Sequence, residues 1–193
     1  MPFILETVVS TMGLNGEIRF APMGVEWTPP ILIVRPYRDT ATCRNLHARR
    51  QGVVNITDNV LTFARTALSR EPVPWVRATS VSGGILADAC AAYEVEVVEV
   101  LPSEPRETFR CRIVCSRQYR PFLGFNRARH AVIEATIAAT RLPWLPPAQV
   151  RAELDRCGAL VDKTGGEQER EALALIRRHV ESRLDAHQGP GDG

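Results

Sequence analysis

The chain has 193 residues, 45% of them hydrophobic and 24% charged, the make-up of an ordinary globular protein with one domain and a sub-domain, or two small domains. Its 24 basic and 22 acidic residues leave a formal charge of +2, which argues against a general polyanion binder, so no nucleic-acid partner is expected. No apolar run approaches transmembrane length, so no membrane association is expected either.

The first half reads as strands. Residues 4–12 are β-branched and apolar, Asn15-Gly16 is a tight-turn signal, and residues 17–25 form the return strand. After Pro29-Pro30, the run Ile31-Leu32-Ile33-Val34 reads as a third strand. Residues 40–50 read as a short helix stopped near Gly52, and residues 53–57 as another strand. Asp58 is the expected cap of a second helix reaching about Leu68. Residues 69–89, with Pro72, Pro74, Gly83 and Gly84, read as a long irregular loop and a candidate mobile lid. Two long strands follow. Alternation along Tyr93-Glu94-Val95-Glu96-Val97 slips at Val97-Val98, the mark of a bulge. Beyond a turn at 102–105, Phe109, Cys111, Ile113 and Cys115 share one face, with Arg110 and Arg112 on the other. Glu94, Glu96 and Glu99 read as the solvated side of a strand.

Residues 125–142 are alanine-rich with helical periodicity. Val132, Ala135, Thr136 and Ala139 form the buried stripe, and Arg127, His130, Glu134 and Arg141 lie opposite. Prolines at 143, 146 and 147 separate this helix from one over 148–158, and a last helix runs over 167–186. Strands first and helices later make an α+β protein: a six-stranded antiparallel barrel or sheet, then three helices. The expected divisions are residues 1–120, residues 121–188 and a disordered tail at 189–193.

The segment from Arg35 to Leu46 is the most informative. It leaves a strand end, turns through Pro36 and enters a helix beginning near Thr40 and Thr42, with Arg35, Arg38 and Arg44 around it. A helix start offers unpaired N–H groups and partial positive charge, and guanidinium forks suit phosphate. One reading is therefore a phosphate-bearing ligand; the other is a Thr-capped helix with solvated arginines. Lys163 is the one lysine among the 24 basic residues, so arginine is favoured throughout and each arginine carries less information. Asn126 with Arg127 at the next helix start allows the same two readings. Lys163-Thr164-Gly165-Gly166-Glu167 lacks the pattern of a phosphate loop and reads as a capping box from Thr164 to Glu167.

The five cysteines, Cys43, Cys90, Cys111, Cys115 and Cys157, show no Cys-x-x-Cys spacing. They read as reduced, mostly buried thiols, and with no basic leader before Glu6 the protein is expected in the cytoplasm. Cys43 lies on the helix with the anion-site signal, where a thiolate could be stabilised, although a small buried side chain is the commoner role. His47, His130, His179 and His187 show no metal-ligand spacing with one another or with the cysteines, so no metal site is expected. No residue stands out as a catalytic acid or base.

Seven segments, in order and spacing, resemble one microbial family: Ala21-Pro22-Met23-Gly24; Arg35-Pro36 with Thr42-Cys43-Arg44-Asn45-Leu46; Val54-Asn55-Ile56-Thr57-Asp58; Phe125-Asn126-Arg127-Ala128; Ala131-Val132-Ile133-Glu134-Ala135; Ala139-Thr140-Arg141-Leu142; and Lys163-Thr164-Gly165-Gly166-Glu167. The family is the flavin-binding split-barrel group termed domain of unknown function 447, and the resemblance covers nearly the whole chain. It implies a Greek-key-like split β-barrel that binds FMN as a homodimer, with C-terminal helices added. It also implies cofactor contacts from Ala21, Pro22, Met23, Gly24, Arg35, Pro36, Thr40, Thr42, Arg44, Asn45, Asn55, Asn126 and Arg127. Relatives in some microbes sit among tetrahydromethanopterin-linked one-carbon genes. The family's usual tyrosine before the Arg-Asn pair is Cys43 here. Two functions are open on this reading. One is a flavin-dependent oxidoreductase working with a small-molecule substrate, for example of the pterin type, and an electron donor. The other is a non-catalytic flavin or pterin-cofactor binding, storage or sensor protein.

Overall fold

Gly16 adopts φ +82°, a conformation that suits glycine. The Asn15-Gly16 turn thereby folds β1 (Ile4–Met12) back onto β2 (Ile18–Thr28). Further along the chain come β3 (Ile31–Val34), α1 (Ala41–Arg49), β4 (Gln51–Ile56), α2 (Val60–Leu68), β5 (Trp75–Arg77), β6 (Gly84–Leu86), β7 (Ala91–Leu101) and β8 (Thr108–Gln118). Three helices complete it: α3 (Arg127–Thr140), α4 (Pro147–Thr164) and α5 (Glu167–Gln188). This is a computed structural model that describes residues 2–69 and 71–188; the expected tail at 189–193 lies outside the described residues.

Six strands close an antiparallel barrel in the order β1-β2-β3-β8-β7-β4, and β5 pairs with β6 in a separate two-stranded sheet. The barrel core is built from inward-facing Val9, Val25, Leu32, Val34, Val54, Val95, Phe109 and Cys111, with Cys43 and Leu46 added from α1. Each such large apolar side chain contributes roughly 1.5–3 kcal/mol on burial. The register of β7 on β8 slips between Val97 and Glu99, so the expected bulge is present, and a second slip falls between Glu94 and Val95.

Two compact units divide the chain. One comprises residues 1–58 and 73–122, and the other residues 59–72 and 123–193. The second unit buries Val60, Leu61 and Ala64 of α2 together with Ala128, Ala131, Val132 and Ala135 of α3, Leu154 of α4, and Ile176 and Val180 of α5. No helix among the described residues is long and apolar enough to cross a membrane.

Several local expectations change. Asn59, not Asp58, caps α2, its side chain accepting from Leu61 N and Thr62 N. Asp58 instead ion-pairs with Arg120, which also donates to the Asp88 carbonyl. Helix α1 stops at Arg50 in the left-handed region (φ 55°), not at Gly52. Gly52 lies in β4, where a Cβ would stand 3.0 Å from the Ser10 carbonyl oxygen. Helix α4 runs through Gly158 to Thr164, since an interior glycine costs a helix only about 1 kcal/mol and its packing outweighs that; the tip of the Arg177 side chain lies over the glycine. The capping box forms differently too. Thr164 bonds back to Leu160 O, and Glu169 takes the Gly166 N–H at 2.8 Å.

Candidate functional site

Strand β2 has a neighbour on both sides only in part. Residues Ala21, Pro22, Met23 and Gly24 pair with Val9, Val8, Thr7 and Glu6 of β1, whereas β3 pairs only with residues 25–28. The four lie partly exposed on the stretch without a β3 partner. Proline is tolerated at such an edge because it has no N–H to offer a further strand. Gly24 has a packing reason of its own: a Cβ would lie 2.7 Å from Ile4 Cγ2.

Helix α1 begins where the sequence places it. Thr40 is the N-cap, its hydroxyl accepting from Cys43 N at 3.3 Å while donating to Tyr37 O at 2.7 Å. The first N–H groups of a helix have no intrahelical partner. Arg44 folds back over this start and donates to Asp39 O at 2.7 Å. A cavity of about 420 Å³ lies beside it, between the first hairpin (Gly13, Asn15, Arg19) and α1 (Ala41, Arg44, Asn45). This volume falls in the usual range for small-molecule sites. Asn45 also donates to Thr11 Oγ1 at 3.1 Å, tying α1 to β1.

The other expected contacts lie elsewhere. Arg35 ion-pairs with Glu26 and donates through Nε to Thr108 Oγ1 at 3.2 Å. Arg38 pairs with Glu104. Pro36 and Thr42 are buried. Asn126 caps α3, accepting from Ala128 N and Arg129 N and donating to Thr164 O; Arg127 beside it is exposed. Both belong to the helical unit.

Asn55 is fully buried and its amide is spent on the barrel. Nδ2 donates to Val8 O and Gly84 O, and Oδ1 accepts from Leu86 N at 2.9 Å. Ser10 adds two more links to Gly84, donating to its carbonyl at 2.6 Å and accepting its N–H at 3.0 Å. Residues 73–89 are therefore not a loose loop. They form the β5–β6 hairpin, stitched to β1 and β4. Glu94 holds the hairpin's turn. It is 3% exposed, not solvated as expected, and accepts from Thr79 N, Thr79 Oγ1, Ser80 N and Val81 N. Burial works to raise its carboxyl, but these donors hold it below the usual glutamate range. Glu96 and Glu99 behave as expected, pairing at the surface with Arg112 and Arg110.

A second cluster escaped the spacing search. Cys43 and His47 stand four residues apart on α1, and both reach Glu107, at 3.3 Å from Sγ and 2.8 Å from Nε2. The Glu107 carboxyl is held low by the His47 hydrogen bond first, with burial opposing and the Cys43 bond assisting. Burial pushes the Cys43 thiol up to about 11, and Glu107 adds to it. Cys43 is thus a protonated donor to Glu107, not the helix-stabilised thiolate considered from the sequence. All five cysteines are free.

A closed six-stranded antiparallel barrel of this topology, with one strand only half flanked, is the split barrel of flavin-binding proteins. Two family models cover most of the chain: the N-terminal domain of the proteins of unknown function DUF447 matches residues 5–120, and a second DUF447 model matches residues 126–178. The protein belongs to that family. Its fold resembles that of an FMN-bound protein of the same family from Methanosarcina mazei, with TM-score 0.80 and 21% identity over 93% of this chain and 96% of the other. The barrel resembles an NADH:FAD oxidoreductase from Streptomyces globisporus, with TM-score 0.53 and 18% identity over 61% and 78% of the two chains. It also resembles a 2-nitrobenzoate 2-nitroreductase from Pseudomonas fluorescens, with TM-score 0.51 and 19% identity over 62% and 66%.

Proposed function

We propose that the protein binds FMN at its barrel and works as a flavin-dependent oxidoreductase on a small organic substrate. The observation that carries this is the cavity at the start of α1, which brings Arg44, Arg19 and Asn45 together beside a capped helix N-terminus. Arg44, Asn45 and the helix start fit a phosphate dianion, and Arg19 joins them on leaving its ion pair with Glu17, which also lines the cavity. The half-flanked stretch of β2, with its small residues, is where backbone can approach a flat ring. The likeness to the FMN-bound family member along almost the full chain supports the same ligand. On this reading Thr40, Arg44 and Asn45 hold the phosphate end and residues 21–24 face the ring. When bound, the flavin would supply hydride and electron transfer itself, so the protein's part is to bind, orient and shield it. Arg35 and Arg38 keep their carboxylate partners and screen the approach. Homodimerisation is part of the proposal, supported by Val98, Val114, Tyr119 and Phe122, apolar side chains that the barrel unit leaves exposed.

FMN is expected to bind at least about tenfold more tightly than riboflavin, since each charge-assisted hydrogen bond to the phosphate is worth roughly 1.5–3 kcal/mol. Quenching of flavin fluorescence on titration with each ligand measures this, and equal affinities would remove the phosphate site. Arg44→Ala is expected to weaken FMN by about 1.5 kcal/mol or more while shifting the melting temperature little, because Arg44 is exposed and makes one bond to Asp39 O. An unchanged FMN affinity would leave Arg44 as a helix-start ornament of the fold.

The second reading, a flavin or pterin carrier without turnover, is favoured by one observation. Residues 73–89 are pinned by Ser10, Asn55 and Glu94, which removes the mobile lid that the sequence offered. Anaerobic stopped-flow mixing with NADH, NADPH or a reduced flavin, with and without a pterin, separates the two. An oxidoreductase bleaches its flavin on a turnover timescale with at least one donor; a carrier resists all of them.

A further inference from the structure

Three unlike ligand atoms meet on the inner side of α1. Cys43 Sγ, His47 Nε2 and a Glu107 carboxylate oxygen all lie within 4.8 Å of one another. Two come from one helix at i and i+4, the spacing that puts two ligands on one face. The third is fixed from another part of the chain. Glu107 N donates to Pro36 O at 3.1 Å, Arg38 N donates to Pro105 O at 3.3 Å, and Tyr37 forms a β-bridge with Arg106. The segment before β8 is thereby locked against the segment before α1, and Glu107 is delivered to the helix.

We propose that Cys43, His47 and Glu107 form a binding site for one zinc-class divalent cation, with a fourth position open to solvent. In a tetrahedral zinc site with bonds of about 2.0–2.3 Å, neighbouring ligand atoms stand roughly 3.3–3.7 Å apart. Here the thiol lies 3.3 Å and the imidazole 2.8 Å from the same carboxylate oxygen, and all three ligand atoms fall within 4.8 Å of one another, so the ion enters when the ring and thiol contacts to Glu107 open and the three groups close around it. The mixture of sulfur, nitrogen and oxygen selects zinc or a similar transition ion over magnesium or calcium. Binding exchanges the Sγ proton, now shared with Glu107, for a metal–sulfur bond, and that proton leaves to solvent. Thiolate, carboxylate and neutral imidazole then balance the charge of the ion. Cys43 and Glu107 are buried, while the His47 side chain is 48% exposed, which leaves one side of the ion within reach of water or a substrate oxygen. The site uses a different face of α1 from the cavity lined by Ala41, Arg44 and Asn45, and it does not depend on the flavin proposal.

The test uses the full-length untagged chain, stripped with chelator and retitrated with zinc against a chromophoric chelator. Cobalt loading is followed as the difference between metal-loaded and metal-free spectra, so that any flavin cancels, and flavin content is measured on the same samples. The expected result is one zinc per chain and a thiolate-to-cobalt charge-transfer band. Both are lost in Cys43→Ser and zinc is lost in His47→Ala, whereas Cys115→Ser keeps them. No zinc uptake by the wild-type chain overturns the proposal. So does uptake that survives both substitutions, or a cobalt form without the thiolate band; the wild-type spectrum decides even where a substituted chain fails to fold.

Discussion

Replacing Glu94 by glutamine is expected to cost about 3 kcal/mol of stability at neutral pH, and the loss should shrink as the solution is made acid. The carboxylate accepts four bonds from residues 79–81, and an amide turns one acceptor oxygen into a donor facing N–H groups. The pH dependence has a definite sign. The native carboxyl is held below its ordinary value of 4.5. Its contribution is therefore fully present above that value and is lost as pH falls through the depressed native one. Urea unfolding of wild-type and Glu94→Gln protein across this range checks it. A constant difference between the two, with no narrowing below about pH 4, would show that the carboxylate charge contributes nothing.

Asn55→Ala is the second large effect, about 3 kcal/mol, because three bonds to buried backbone groups go at once: those to the carbonyls of Val8 and Gly84, of which Gly84 keeps its bond from Ser10, and the one from the N–H of Leu86. The loss should be local before it is global. Hydrogen exchange at Leu86 N–H is expected to speed up first, since that proton is held by Asn55 Oδ1, while β4 and β7 remain protected. An unaltered urea midpoint, or uniform acceleration through the barrel, would show that the amide is not what holds β6 in place. Asn55→Asp should be no better, since a carboxylate cannot donate to the two carbonyls it would face.

These two side chains also mark where sequence reading reached its limit. Apolar, β-branched runs located β1 and β3, the Asn15-Gly16 turn located the first hairpin, the slip in period-two alternation located the bulge at Val97-Val98, and the three-to-four-residue period located α3 and α5, since each pattern is local. Glu94 continues the polar phase of β7, so nothing near it in sequence distinguishes it from Glu96. Only the return of residues 79–81 over its carboxylate buries it. Asp58 and Asn59 are equally good caps on local grounds; Arg120, far along the chain, claims the aspartate. Gly158 reads as a helix end on local grounds, and only the packing of Leu154, Cys157 and Val161 with α3 and α5 carries the helix on past it. In the candidate site the cap and Arg44 were legible as a helix start. The cluster at Cys43 was half legible, in its four-residue spacing from His47; its third member, Glu107, arrives through the pairing of residues 36–38 with 105–107.

The path of the chain between the two units has a kinetic consequence. Helix α2 is synthesised in the middle of the barrel sequence, yet its buried Val60, Leu61 and Ala64 belong with α3, α4 and α5. On a ribosome adding about 5–20 residues each second, α2 waits for roughly ten seconds before α5 is complete. Through that interval its apolar face has no permanent cover, while β5 to β8 emerge and can finish the barrel. The nascent chain therefore passes through a stage in which a closed barrel carries an unsheltered helix, and it is at that stage, not in the finished protein, that a chaperone has something to hold.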